Sequence, residues 1–220
     1  MKKLVGVAAV FFLVATLGSA ATLCTSFSGP QVINAAFSCS LGGLTFSNFV
    51  VIPAAGNMAP EVDLVSANTA GGTVNLTFNP NMSAPTASQD LHLFYTVSGG
   101  ITSVGGANAG ANATIQETVC LVAFDVSNSC GGGGPLANFP IFSSAGHNTA
   151  GPLPISSNTS VNIFKDINVN PPGALTSFTQ SFGTNGGGGG SGEAVPEPVS
   201  LLLMGSGLVA LSLLKKVRNA

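Results

Sequence analysis

Acid–base chemistry in this sequence would depend on a few carboxylates and two histidines. Hydrolysis of a glycosidic bond requires two carboxylates that face one cleft. Glu117 is the most informative acid, because it lies among the apolar residues of a predicted strand, where burial would raise its pKa. The alternative is a structural carboxylate at a strand end, bonded to neighbouring backbone or to Lys165. The candidate acids are Asp90, Glu117, Asp125 and Asp166.

The histidines do not complete a catalytic motif. No Gly-X-Ser-X-Gly turn precedes a predicted helix, so a serine triad is not indicated. His92 is predicted on a strand face and His147 in a loop of Ser, Gly and Asn, both in structural or solvent-exposed roles. Glu61 and Asp63 could help to bind calcium, but no loop of alternating oxygen ligands surrounds them. We therefore expect no enzymatic activity, no cofactor and no metal site.

The elements that would position these side chains are predicted to be short β-strands. Apolar residues at alternate positions from Leu91 to Val97 predict that the odd-numbered side chains face a core. Eight such strands, separated by Gly, Pro, Asn and Ser, favour an all-β fold, either an antiparallel β-sandwich or a jelly roll. The predicted strands are Leu44 to Ile52, Glu61 to Ser66, Thr73 to Phe78, Asp90 to Val97, Ile101 to Val104, Thr114 to Val126, Val161 to Val169 and Thr176 to Phe182.

The longest of these predicted strands runs from Thr114 to Val126. Its alternation places Glu117 on the same face as four apolar residues. These residues are Ile115, Val119, Leu121 and Ala123.

Three glycine-rich stretches are predicted to lie between or beyond the strands. Gly105 to Gly110 and Cys130 to Pro135 are predicted as turns or a mobile tip. They are not phosphate-binding loops, because neither precedes a predicted helix and no Walker lysine follows. Residues 184–194 are predicted to be a flexible linker, since glycine and serine dominate them.

Four cysteines lie between the two ends of the chain, at Cys24, Cys39, Cys120 and Cys130. In an exported protein they are expected to form disulfides, with three possible pairings. Proximity favours the two pairs that close loops of about 10 to 15 residues, each of which would add about 3 kcal/mol of stability. A zinc site is the alternative, but no Cys-X-X-Cys pair is present.

The composition of the central region excludes some partners. Between Thr22 and Val195 there are seven acidic residues and one lysine, a formal charge of −6. Nucleic acid is not an expected partner, because phosphate binding needs clustered lysine and arginine. The chain has no tryptophan and only Tyr95 as tyrosine, which argues against an aromatic platform for stacking sugars.

The N-terminal 21 residues have the organisation of a signal peptide. Lys2 and Lys3 precede an apolar run from Leu4 to Leu17, and small residues follow. The run has 14 residues, and roughly 20 are needed to span a membrane. We expect export by Sec-type machinery and cleavage after Ala20 or Ala21.

The C-terminal residues 195–220 contain a second membrane signal. An extended Pro-Glu-Pro triplet precedes an apolar stretch, Val199 to Leu214, predicted as a short transmembrane helix. A basic cluster follows, which the positive-inside tendency keeps in the cytoplasm. The triplet is Pro196, Glu197 and Pro198, and the basic residues are Lys215, Lys216 and Arg218.

This order of triplet, apolar helix and basic terminus resembles the PEP-CTERM sorting signal of exopolysaccharide-producing Gram-negative bacteria. The resemblance covers about the last 26 residues. It implies that an exosortase, a membrane cysteine transpeptidase, recognises the triplet and removes the tail. The central region is also similar to uncharacterised ectodomains of PEP-CTERM proteins from soil bacteria. The similar segments are Leu44 to Phe49, Ser88 to Val97, Gln116 to Cys120 and Lys165 to Ile167.

Taken together, these patterns predict a signal peptide (1–21), a β-rich extracytoplasmic domain (22–183), a linker (184–194) and a sorting signal (195–220). We expect a cell-surface or matrix protein, anchored transiently by its C-terminal helix, with a structural or adhesive role linked to exopolysaccharide. The alternative is a secreted carbohydrate-binding module or glycoside hydrolase delivered by the same tail. A deep cleft that joins two of Asp90, Glu117 and Asp125 would favour the hydrolase.

Overall fold

A computed structural model of the chain describes residues 22–55, 61–142 and 149–184. The predicted signal peptide and sorting signal lie outside these ranges, as does the predicted linker apart from its first residue. That residue, Thr184, instead ends the last strand. No helix long and apolar enough to cross a membrane occurs in the described part of the chain.

The described residues form one curled, mixed β-sheet of ten strands. Strands β1 and β3 pair in parallel, and the other pairs are antiparallel. The strands are β1 (Thr22–Leu23), β2 (Gln31–Val32), β3 (Cys39–Leu41), β4 (Leu44–Ala55), β5 (Asp63–Ala70), β6 (Thr73–Asn79), β7 (Met82–Ala84), β8 (Gln89–Cys120), β9 (Ala137–Phe142) and β10 (Thr149–Thr184).

The two long strands, β8 and β10, each run through two layers of the fold. In the front layer, residues 160–169 of β10 lie between residues 89–98 and 113–120 of β8. In the back layer, residues 174–184 of β10 pair with residues 101–111 of β8. The front layer is completed by β1, β3, β4 and β9, and the back layer by β2, β5, β6, β7 and residues 149–154 of β10.

The core lies between these layers and is rich in aromatic rings. Phe46 of the front layer is 5.6 Å from Phe182 of the back layer, between ring centroids. Phe78 of the back layer contacts Tyr95 of the front layer at 6.2 Å. The odd-numbered side chains from 91 to 97 are buried, as the alternation predicts. The all-β prediction is thus confirmed, and the two layers are consistent with a β-sandwich.

The prediction that Gly105 to Gly110 form a turn is wrong. These residues belong to β8 and pair along their length with residues 175–181 of β10, and residues 106–107 also pair with residues 149–150 on the other side. Glycine is needed there because a side chain would meet the neighbouring backbone. A Cβ on Gly110 would lie 2.5 Å from the carbonyl oxygen of Ala174, and one on Gly106 would lie 2.9 Å from that of Thr179.

The predicted strand from Thr114 to Val126 ends earlier, at Cys120. Leu121 is 55% exposed instead of sharing the buried face. A loop follows Cys120. It is closed by the disulfide between Cys120 and Cys130 and by an isolated β-bridge between Phe124 and Cys130. The alternation of side chains on which the prediction was based continues past Cys120, so it does not mark the end of the strand.

Other boundaries also differ from the sequence prediction. The strand predicted from Glu61 to Ser66 runs from Asp63 to Ala70, and β9 was not predicted. Pro140 interrupts the apolar pattern of β9, and it is tolerated because β9 pairs on one side only, at a sheet edge.

The cysteines form the two disulfides that proximity favoured. Cys24 is joined to Cys39, with 4.9 Å between Cα atoms. Cys120 is joined to Cys130, with 5.5 Å between Cα atoms. All four thiols are used, so no cysteine is free to bind zinc.

Candidate functional site

The structure separates the acids that the sequence singled out. Glu117 is fully buried in the core, whereas Asp125 is exposed in the loop after β8. Asp90 and Asp166 lie together on the outer face of the front layer. Asp90, Glu117 and Asp125 therefore do not converge on one cleft.

The remaining candidates lie apart from these acids. Glu61 is exposed and Asp63 is partly buried, and neither belongs to a group of three potential metal ligands among the described residues. His147 lies outside the described residues.

Glu117 belongs to a closed polar network between the two layers. Its carboxylate accepts hydrogen bonds from the ammonium of Lys165 and, at 2.9 Å, from the amide of Gln180. The Lys165 ammonium also donates to Gln180 and lies 5.5 Å from the centroid of the Phe178 ring. Burial raises the pKa of Glu117, against the opposing effects of Lys165 and Gln180, and burial lowers the pKa of Lys165. This network is structural, since all three side chains are inaccessible.

The outer face of the front layer carries a cluster of rings, which we call the aromatic cluster: His92, Phe94, Phe124 and Phe164. Phe94 stacks on Phe164 with 4.7 Å between centroids. Phe124 packs against both, at 5.7 Å from each, and His92 meets Phe164 edge-on at 5.2 Å. Phe94 and Phe164 reach this face because alternate residues of a strand point to the same side.

A depression of about 260 Å³ adjoins the aromatic cluster. Polar side chains surround its rings: the Asn48 amide donates to the Thr96 hydroxyl at 3.3 Å, and that hydroxyl donates to Asn162 at 3.1 Å. The aromatic rings can stack on one face of a ligand, and the neighbouring amides can hydrogen-bond to its edge. The depression is lined by Asn48, Phe94, Tyr95, Thr96, Ala123, Phe124, Asp125, Asn128, Asn162 and Ile163.

The loop from residue 121 to 130 forms one wall of the depression. The Asp125 carboxylate accepts hydrogen bonds from the Ser127 hydroxyl at 2.6 Å, the Ser127 amide at 2.8 Å and the Ser129 amide at 3.1 Å. These bonds, led by that from the Ser127 hydroxyl, hold the pKa of Asp125 below its ordinary value. Together with the disulfide at its base, this turn fixes the loop that carries Phe124 and Asn128.

Asp90, His92 and Asp166 form a second group on the same outer face. Nε2 of His92 is 4.0 Å from Oδ1 of Asp90 and 3.9 Å from Oδ1 of Asp166. Burial raises the pKa of Asp90, and the nearby charge of Asp166 raises it further. One potential ligand atom from each of the three residues lies within 4.8 Å of the others.

A different depression, of about 220 Å³, lies between the N-terminal loop and β5. It carries no ionisable side chain and no exposed ring cluster, so it offers less chemistry. Its lining residues are Cys24, Thr25, Phe27, Gly29, Leu64, Val65, Ser66 and Ala67.

Sequence reasoning missed the aromatic cluster. The alternation around Leu91 to Val97 placed His92 and Phe94 together on the outer face. It did not show that Phe164 of the neighbouring strand lies beside them, because strand pairing is decided in three dimensions. Phe124 lies in a segment predicted as strand, so its position on the loop was also not foreseen.

The fold and the site define a disulfide-bonded, all-β domain with an aromatic and polar depression on its front layer. No protein-family model matches the sequence, and no curated protein matches it. Among solved structures, the chain is similar to TmCBM61, whose structure was determined in complex with β-1,4-galactotriose. The identity is 18%, the TM-score is 0.34, and the match covers 61% of this chain and 88% of that chain. A similarity this weak supports no conclusion about this protein.

Proposed function

We propose that this protein is an exported surface or matrix protein whose β domain binds a neutral polysaccharide in the depression beside the aromatic cluster. The observation that carries the proposal is the placement of Phe94 and Phe124 next to Asn48, Asn162 and Asp125. Sugar rings present apolar C–H faces and hydroxyl edges, and this lining offers a partner for each.

The absence of tryptophan argued against a surface on which sugar rings could stack. The phenylalanine rings of the aromatic cluster offer such a surface instead. The phenylalanine rings are held by one another, since Phe94 stacks on Phe164 and packs against Phe124. Rings held in place lose little conformational entropy when a ligand binds. Phenylalanine therefore supplies the stacking surface on this face.

The charge of the domain favours a neutral polysaccharide over an acidic one. Lys165 is the only lysine or arginine from residue 22 to 195, and its ammonium is bound to Glu117 in the core. An anionic sugar would meet Asp125 at the edge of the depression without a compensating cation.

Binding is favoured over hydrolysis by the positions of the acids. Glu117 is buried in its ion pair, and neither Asp90 nor Asp166 lines the depression. Asp125 is the only carboxylate among its lining residues. A pair of carboxylates facing a bound glycosidic bond, which hydrolysis requires, is not present among the described residues of this site.

The disulfides support the export part of the proposal. Two disulfides indicate an oxidising, extracytoplasmic compartment. Within the proposal, the signal peptide directs export, and the triplet Pro196, Glu197 and Pro198 directs processing by an exosortase. The short C-terminal helix anchors the protein in the membrane until that step.

Affinity electrophoresis through gels that contain the host's own purified exopolysaccharide tests the binding proposal. We expect retarded migration of the wild-type protein and loss of most of the retardation in Phe124→Ala and Asn162→Ala. Phe142→Ala is the matched control, because Phe142 is an exposed ring of β9 outside the depression. Equal retardation of wild type and both depression variants would refute the site.

Intact mass of the protein from its native host tests the sorting proposal separately. We expect loss of the N-terminal segment and of the residues near and beyond Pro198. A Pro196→Ala, Pro198→Ala variant should keep its tail. An intact tail in both proteins would mean that the C-terminal segment is a plain anchor and that no exosortase acts on it.

A further inference from the structure

We propose that Asp90, His92 and Asp166 bind one divalent transition-metal ion of the zinc class on the outer face of the front layer. This site lies outside the residues that line the depression and does not depend on polysaccharide binding.

The strand register brings the three residues together. Asp90 and His92 are two positions apart on β8, so their side chains point to the same side of the layer. Asp166 of β10 is the direct cross-strand partner of His92. Residues on paired strands are held more rigidly than residues on loops, which favours a defined ligand geometry.

Apart from His92, which is a cation only when protonated, the carboxylates of Asp90 and Asp166 have no positively charged side chain beside them among the described residues. Oδ1 of Asp90 is buried and has no hydrogen-bond partner among the described residues. Lys165 faces the other side of β10 and is bound to Glu117 in the core. No other lysine or arginine occurs from residue 22 to 195. A bound divalent ion would compensate both carboxylates and give the buried oxygen a partner.

The ligand set favours zinc over calcium or magnesium. Calcium and magnesium prefer oxygen ligands alone, whereas imidazole nitrogen with carboxylate oxygen suits zinc. In a tetrahedral zinc site with bonds of about 2.0 to 2.2 Å, neighbouring ligand atoms lie about 3.4 Å apart. The separations of 3.9 and 4.0 Å from His92 are about 0.5 Å longer than this, a difference that small rotations of these partly exposed side chains would close. Three protein ligands leave a fourth tetrahedral position for water.

The neighbouring ring restricts the orientation of the imidazole. His92 meets Phe164 edge-on, with 5.2 Å between centroids. The His92 side chain is 21% exposed and that of Asp166 is 44% exposed, so an ion can enter from solvent. The site is thus partly ordered before the ion binds and remains accessible.

Equilibrium dialysis of the full chain against zinc chloride tests the proposal. The protein is purified in detergent without a polyhistidine tag and stripped with a chelator first. We expect one zinc ion per chain. His92→Gln and Asp166→Asn should each weaken binding by about tenfold or more, since even changes to groups that only support a ligand cost about that much.

The second histidine supplies a matched control. The chain contains two histidines, and His147→Gln should leave zinc binding unchanged. Circular dichroism shows whether each variant is folded, and Asp166→Asn, at a more exposed position, serves if His92→Gln does not fold. Absence of zinc binding by the wild type, or binding retained in a folded Asp166→Asn variant, would overturn the proposal.

Discussion

Lys165 and Glu117 form an ion pair inside the core in which both side chains are completely buried. They are direct cross-strand partners on β10 and β8, although 48 residues separate them in sequence. Gln180 of the back layer donates to the same carboxylate, so the pair also ties the two layers together. A buried charge is tolerated only when such partners are complete.

Lys165→Met should therefore destabilise the protein strongly. The substitution leaves the Glu117 carboxylate in the core without its cation, which costs about 3 to 5 kcal/mol of unfolding free energy. Guanidinium denaturation followed by circular dichroism measures the loss. The double variant Lys165→Met, Glu117→Met should be more stable than the single variant, because no unpaired charge remains. A double variant less stable than the single one would contradict this account.

Removal of either disulfide should lower the free energy of unfolding by about 3 kcal/mol, because the loops closed have 10 and 15 residues. The paired variant Cys120→Ala, Cys130→Ala should also weaken polysaccharide binding. Its disulfide holds the loop that carries Phe124 into the depression.

The pair Cys24→Ala, Cys39→Ala is the control for the effect on binding. Neither residue lines the depression beside the aromatic cluster, so stability should fall while gel retardation stays at the wild-type level. Equal weakening of binding by both paired variants would show that the effect is one of global stability.

Gly110→Ala should destabilise the fold by about 1 to 3 kcal/mol, because the new methyl group overlaps the backbone of a paired strand. The Cβ would lie 2.5 Å from the carbonyl oxygen of Ala174. Gly133→Ala is the control, since nothing lies within 4 Å of its Cβ, and its change should be within about 0.5 kcal/mol. Equal denaturation midpoints for the two variants would argue against close strand packing at Gly110.

The carboxyl of Asp125 should titrate below its ordinary pKa of 3.8, because Ser127 and Ser129 donate hydrogen bonds to its charged form. A depressed pKa in the folded state means that this carboxylate stabilises the turn above pH 3.8. That contribution is lost as the pH falls through the lowered value.

Carbon-13 NMR titration of the carboxyl groups measures this midpoint. Ser127→Ala should move the Asp125 midpoint upward, since the Ser127 hydroxyl is the largest cause of the shift. Ser88→Ala is the control, because that hydroxyl bonds Asn170 instead. An Asp125 midpoint that does not respond to Ser127→Ala would refute the role of this hydrogen bond.

Local pattern was sufficient for several features of the fold. Alternation predicted the buried face from Leu91 to Val97, and short spacing favoured the disulfide pairs that the structure contains. Both depend on residues close in sequence. The glycines from Gly105 to Gly110 led to a wrong prediction of a turn. Glycine is common in turns, but it also occurs in strands whose backbone is in close contact with a neighbouring strand.

The sequence by itself determined that the central region is built of β-strands, that Glu117 is set among apolar residues, and that Lys165 is the only lysine or arginine of this region. Only the tertiary structure decided that Glu117 meets Lys165, that Phe164 joins Phe94 and Phe124, and that Asp166 lies opposite His92. The physical reason is strand register. A shift of one residue between β8 and β10 would send the side chains of Phe164, Lys165 and Asp166 to the face opposite their partners on β8.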